Sequence, residues 1–255
     1  MPDHKQSSKV SIVISGKKIN LGKRLAQIES MVTEPYDHIW DCCCDHGLLG
    51  TALLARQAAP HIHFVDIVPE LMHELENKLA RFFPTISESA PQWLVHCIDV
   101  AALPLHKFNG KHLVILAGVG GDLMAKFVNA IFQKNPTANI DFLLCPVHHQ
   151  FTLRQQLIQC DFRLLTETLM IENQRFYEII LVSTTRCPSR EHSTISPVGN
   201  LIWQRSTPKQ AKIAADYFNK TLAHYKRVQL NPDTDVQHII DAYSSVSVDY
   251  FPNNL

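Results

Sequence analysis

The 255-residue sequence predicts an open α/β fold: a seven-stranded, mostly parallel sheet ending in an antiparallel hairpin, followed by a small helical C-terminal appendage. Three observations predict it. Short apolar runs at about 38–43, 62–66, 93–98, 112–117 and 141–145 alternate with helix-like stretches at about 47–58, 69–82, 122–134 and 150–160, with a shorter one near 100–106. Such alternation builds a parallel sheet with helices on both faces. The last two strand-like runs, Arg163 to Ile171 and Phe176 to Ser183, are joined only by Glu172-Asn173-Gln174-Arg175. No crossover helix fits in that space, so the two runs pair antiparallel. Finally, Asp41-Cys42-Cys43-Cys44-Asp45-His46-Gly47 and Leu116-Ala117-Gly118-Val119-Gly120-Gly121-Asp122 each follow an apolar run and lead into a helical pattern. Open α/β sheets hold nucleotide-like ligands on turns of this kind, at the carboxyl edge of the strands.

Residues 1–19 read as a basic N-terminal segment and 20–185 as the sheet domain, whose first element, Asn20 to Val32, carries Leu21, Leu25, Ile28 and Met31 or Val32 on one helical side. Arg186 to Ser206, rich in Ser, Pro and Arg, reads as a linker. Thr207-Pro208-Lys209-Gln210 then offers a capping threonine, a proline at the first helical position and a glutamine three residues on. A helix is expected from there to about Gln229. Asn231-Pro232 breaks it, and Val236, Ile239, Ile240 and Tyr243 mark a second, shorter helix, so 207–255 is expected to be a helical hairpin.

Composition narrows the function. The apolar stretches are far shorter than a membrane span and the N-terminus has no signal-like apolar core, so a cytoplasmic protein without a membrane partner is expected. Seven cysteines, three of them consecutive, make no disulfide framework, and no CxxC spacing occurs. No metal is expected, and packing outweighs reactivity for Cys42, Cys43 and Cys44. The net charge is zero, yet residues 1–24 hold six Lys or Arg against Asp3, and 186–229 hold eight against Glu191 and Asp216. A phosphate-contacting surface on a neutral body has this distribution, and so do solvated helix faces.

The expected strand ends carry Asp41, Asp66 and Asp99. A carboxylate after the second strand suits a ribose, because it accepts from both hydroxyls, and one after the third suits an adenine amino group. Each is equally readable as a helix cap. The absence of G-x-G-x-x-G speaks against a pyrophosphate and a nicotinamide cofactor. Asp41 and Asp45 instead offer carboxylates to an ammonium or sulfonium. Gly118, Gly120 and Gly121 let backbone pass close to a ligand or to a packed strand.

Leu21-Gly22-Lys23-Arg24-Leu25, the Asp41 to Gly47 turn, Leu116 to Gly121, Leu153-Arg154-Gln155-Gln156-Leu157 and Phe176-Tyr177-Glu178-Ile179-Ile180 together resemble the bacterial tRNA (adenine-22, N1) methyltransferases over about residues 20–185. The resemblance implies a class I, Rossmann-like methyltransferase fold, S-adenosylmethionine as cofactor and tRNA as partner. It implies cofactor contacts from Asp41, Asp45, His46, Asp66, Asp99, Gly118, Gly120 and Gly121, and an acceptor-side role for His148. Two positions depart from the family pattern: Cys43 stands where a glycine is usual, and Val147-His148 follows Pro146 where an asparagine is usual. These departures keep two rivals open, a methyltransferase for another RNA position or a small molecule, and a degenerate fold that only binds RNA or protein. The sequence leaves the oligomeric state open.

Overall fold

The computed structural model describes residues 10–14, 17–84, 91–185, 194–204 and 207–246. Two short strands, β1 (Val10–Ile14) and β2 (Lys17–Leu21), pair antiparallel within what the sequence marks as a basic segment. Residues 1–9, 15 and 16 of that segment lie outside the described residues. Helix α1 (Lys23–Ser30) is therefore shorter than the expected 20–32, because Leu21 is spent on the hairpin and Gly22 is extended. The carboxylate of Glu172, far along the chain, caps α1 by accepting from the Lys23 amide at 2.5 Å.

The main sheet runs β3 (His38–Cys42), β4 (His61–Asp66), β5 (Trp93–Cys97), β6 (Lys111–Ala117), β7 (Asn139–Cys145), β8 (Arg163–Glu172) and β9 (Arg175–Ser183), in spatial order β5-β4-β3-β6-β7-β9-β8. Strands β3 to β7 are parallel, and β9 is antiparallel to both β7 and β8. The connecting helices are α2 (Leu48–Ala55), α3 (Pro69–Phe82), α4 (Gly121–Lys134) and α5 (Gln150–Gln159). The expected helix near 100–106 is two 3-10 turns, Val100–Ala102 and Leu105–Lys107. Strand alternation splits the core in two. Ile39, Ile62, Phe64 and Leu113 meet α1, α2 and α3 through Ile28, Leu53 and Leu75. Trp40, Val65, Val114 and Leu116 meet α4 and α5 through Met124, Val128 and Leu157.

The appendage consists of α6 (Pro208–Val228) and α7 (Gln237–Ser244), and the Thr207 hydroxyl accepts from the Gln210 amide at 3.1 Å as the capping pattern requires. The segment before it is more than a linker. Residues 186–193, 205 and 206 lie outside the described residues, but 194–204 buries Ile195, Val198 and Ile202. Glu167 Oε1 accepts from the amides of Asn200 and Leu201, each at 2.6 Å. Its other oxygen takes a 2.6 Å bond from Arg154 Nη2, and Arg154 Nε donates to Glu178 at 2.8 Å. Tyr217 of α6 donates to the remaining Glu178 oxygen at 2.5 Å. One fully buried Glu–Arg–Glu triad thus fastens α5, β8, β9, α6 and the 194–204 segment together.

Candidate functional site

The turn after β3 is bent by three left-handed residues, Cys43 (φ 54°), Asp45 (φ 51°) and Gly47 (φ 66°). Glycine adopts this conformation freely, whereas a Cβ costs about 1–2 kcal/mol there. Position 43 is therefore a glycine position occupied by cysteine. Cys43→Gly is expected to stabilise the protein by about 0.5–1 kcal/mol, after the added unfolded-state entropy of glycine is subtracted. A urea midpoint that falls would refute the strain.

The turn opens a cavity of about 330 Å³ whose walls include Arg24, Asp41, Cys43, Asp45, His46 and Gly118. Asp41 is buried at the end of β3, and its Oδ2 accepts from the Gly50 amide of α2 at 2.8 Å. Burial pushes its carboxyl up to about 7, with the Asp66 charge adding to the rise and the Gly50 bond opposing it. Asp45 is exposed, with Oδ1 3.6 Å from Nε2 of the exposed His46, a loose pairing.

Asp66 and Asp99 lie beside this cavity rather than in its wall. Asp66 ends β4, where Oδ2 accepts from the Asp45 amide at 3.1 Å and Oδ1 from Ile67 and Val68 at 2.8 and 3.2 Å. Asp99 caps the 3-10 turn through the Ala101 amide at 2.8 Å. Both carboxylates nevertheless lie close enough to act electrostatically on the Cys43 thiol. Burial first, and then the charges of Asp66, Asp41 and Asp99, raise that thiol to about 11. Burial likewise raises the Cys42 and Cys44 thiols, so the triplet stays protonated at neutral pH, as packing groups do.

Arg24 adds a group that the sequence signals only through its place in Leu21-Gly22-Lys23-Arg24-Leu25. Its guanidinium lies 5.4 Å from the Tyr177 ring, and its buried Nη1 has no hydrogen-bond partner. A buried guanidinium nitrogen without an acceptor is costly, and Arg24 is one of the residues that line the cavity.

At the second turn the three glycines differ. Gly118 has φ 97°, a left-handed value, and donates to the Cys145 carbonyl at 3.3 Å. Gly120 and Gly121 instead leave room for the β7–α5 loop: a Cβ on Gly120 would collide with the His148 ring, and one on Gly121 with the His149 carbonyl. Two backbone bonds clamp the loop there, Val147 to the Val119 carbonyl at 3.0 Å and Gly121 to the His148 carbonyl at 2.8 Å. His148 and His149 are exposed with ring centroids 4.3 Å apart, and the His149 hydrogen bond holds the Asp122 carboxyl below its usual range.

His148 opens onto a second, larger hollow of about 1010 Å³ between the β8–β9 hairpin and α6, lined by Arg175, Phe176, Tyr177, Lys220, Tyr225 and Arg227 among others. The two hollows adjoin across the Val119–Val147 hydrogen bond, since Val119 lines the first and Val147 the second.

This sheet order, with acid-bearing turns and a cavity at the carboxyl edge of its strands, is the fold of the class I S-adenosylmethionine-dependent methyltransferases. The family model for the methyltransferase domain matches residues 21–180, and the chain belongs to that family. Among solved structures it is similar to M. capricolum TrmK in complex with S-adenosylhomocysteine (16% identity, 88% of this chain and 96% of that one, TM-score 0.67). It is also similar to the B. subtilis m1A22 tRNA methyltransferase TrmK (16% identity, 91% and 100% covered, TM-score 0.64). Streptococcus pneumoniae Sp1610 aligns comparably (18% identity, 88% and 98% covered, TM-score 0.66). No curated protein sequence matches the chain. Among the described residues no helix is long and apolar enough to cross a membrane.

Proposed function

We propose that the protein is an S-adenosylmethionine-dependent methyltransferase acting on N1 of an unpaired adenine in tRNA, and that it works in the cytoplasm. The junction of the two hollows carries this reading. The smaller one offers carboxylates and the Arg24 guanidinium, whose Nη1 has no hydrogen-bond partner, and the larger one offers cations interleaved with aromatic rings. Within the smaller hollow Arg24 suits the cofactor's carboxylate and Asp41 and Asp45 its ammonium, while Asp66 and Asp99, beside the hollow, are assigned its ribose hydroxyls and adenine amino group. His46 stands beside Asp45 in the wall and Gly118 borders the hollow, while Gly120 and Gly121 seat the β7–α5 loop that brings His148 to the acceptor side. When bound, the cofactor supplies a methyl group already activated by its sulfonium, so the chain's part is alignment and exclusion of water.

N1 lies on the pairing edge, so the target adenine must leave its stack to be reached. His148 meets it at the junction. Tyr177 and Tyr225 offer ring faces to unstacked bases, and Arg175, Lys220 and Arg227 offer cations to the backbone. The names of the similar B. subtilis and Streptococcus pneumoniae structures, both given as tRNA m1A22 methyltransferases, support tRNA and adenine as substrate and target.

Mass spectrometry of nucleosides from tRNA incubated with protein and cofactor tests the reading, and a methylated adenosine is the expected product. A folded sample that binds S-adenosylhomocysteine but methylates nothing would leave only a binding module. Arg24→Gln and Asp66→Ala are each expected to weaken S-adenosylhomocysteine binding at least tenfold by calorimetry, about 1.4 kcal/mol. Unchanged affinity removes the assignment at that position. In a salt titration of tRNA binding, the Lys220→Gln, Arg227→Gln variant should lose about 1–2 units of the log–log slope. An unchanged slope places the RNA elsewhere.

A further inference from the structure

We propose that Asp122, His148 and His149 form a binding site for one divalent transition-metal ion of the zinc class. Among the described residues these three bring one ligand atom each to within 4.8 Å of one another. His149 Nδ1 is 3.0 Å and His148 Nδ1 4.0 Å from Asp122 Oδ1. Tetrahedral zinc, with bonds of about 2.0–2.1 Å, needs donors about 3.3 Å apart, which small side-chain rotations supply from these positions. Two imidazoles and one carboxylate form a donor set that borderline-soft ions take in preference to calcium or magnesium.

The backbone prepares the site. His149 sits at φ 57°, a left-handed value that non-glycine residues rarely hold, at the start of α5. The Gly121 amide donates to the His148 carbonyl at 2.8 Å and the Leu153 amide to the His149 carbonyl at 3.2 Å, so the two histidines ride on a loop held at both ends. Asp122 is fixed in the first turn of α4. All three side chains are more than half exposed, which gives an ion access and leaves its fourth position to water. The expectation of no metal rests on cysteine spacing, which says nothing of this pair. An ion held here takes up His148, so metal and acceptor base exclude each other. That consequence rests on the proposed function; metal uptake by the protein alone does not, so the two fail separately.

The test is titration of the reduced, metal-free full chain with Zn²⁺ in competition with a chromophoric chelator. One equivalent is expected to bind. Asp122→Asn, His148→Ala and His149→Asn should each weaken binding at least tenfold, the last keeping a side chain that tolerates the left-handed backbone. With Co²⁺ in place of zinc, d–d bands are expected without a thiolate charge-transfer band in the near ultraviolet. Affinity equal in the parent and all three variants overturns the proposal, and so does a thiolate band, which would place the metal on cysteines.

Discussion

Arg154→Met is expected to destabilise the protein by about 3–5 kcal/mol and to release the C-terminal helices from the sheet. Removing the guanidinium leaves Glu167 and Glu178 fully buried with no countercharge, and an uncompensated buried charge costs far more than the pair contributes when intact. For a chain of this size the melting temperature should fall by about 10 °C. The effect should spread beyond the mutated helix, because the same carboxylates hold the Asn200 and Leu201 amides and the Tyr217 hydroxyl. Amide exchange in α6 should therefore accelerate more than in β3 or β4. Adding Glu167→Gln and Glu178→Gln to Arg154→Met should recover part of the loss, since no bare charge then remains. A single variant that melts within about 2 °C of the parent would show that the appendage is held by its apolar contacts alone.

Acid is expected to produce the second large effect. His38 Nδ1 lies 3.0 Å from His63 Nε2, and His63 Nδ1 3.0 Å from His96 Nε2, in a chain of imidazoles across β3, β4 and β5. The Trp40 indole covers His63 at 3.7 Å and donates to His112 at 3.2 Å. Burial, followed by the neighbouring imidazoles, pushes His63 down to about 2 and His112 to about 4; Asp37 and the Phe108 carbonyl oppose the shift at His112. Burial also lowers His38 and His96.

Histidines in the unfolded chain titrate near pH 6.5. Below that pH the unfolded chain takes up protons that the folded protein refuses, so stability is intact above about 6.5 and is lost as pH falls. Each such histidine contributes a slope of about 1.4 kcal/mol per pH unit. Asp41 acts in the opposite sense, because its folded carboxyl, at about 7, keeps a proton that the unfolded chain gives up above about pH 4. With His63 and His112 set against Asp41, and His38 and His96 adding to the histidine side, unfolding free energy should fall by at least about 1.4 kcal/mol per unit between about pH 6 and 4.5. Asp41→Asn should steepen this by about 1.4 kcal/mol per unit, and His63→Leu should flatten it by a similar amount. Urea unfolding at fixed ionic strength across that range measures the slopes; stability independent of pH in all three proteins would show the histidines are not held neutral.

The parts of the molecule legible in the sequence are those governed by local period and connectivity. Apolar runs at strand length gave β3 to β7 within a few residues, the four residues after Ile171 forced the β8–β9 hairpin, and Thr207-Pro208 placed the start of α6. The same local chemistry marked the Asp41 to Gly47 and Gly118 to Asp122 turns as a ligand edge. The family resemblance, rather than local chemistry, marked position 43 as a glycine position, which the left-handed φ of Cys43 explains.

What only the tertiary structure decided depends on which distant residues the sheet order brings together. Strand adjacency of β3 to β6 stacks histidines that the sequence scatters from 38 to 112. Glu172 reaches back to cap α1 and so sets Arg24 at the cavity, and Glu178 meets Arg154 and Tyr217 because β9 lies between α5 and α6 in space. The division of the aspartates followed the same rule: Asp41 entered the cavity wall, while Asp66 and Asp99 turned to nearby amides. Each strand-end carboxylate looks alike in sequence, and only the packed edge fixes which backbone donors it meets first.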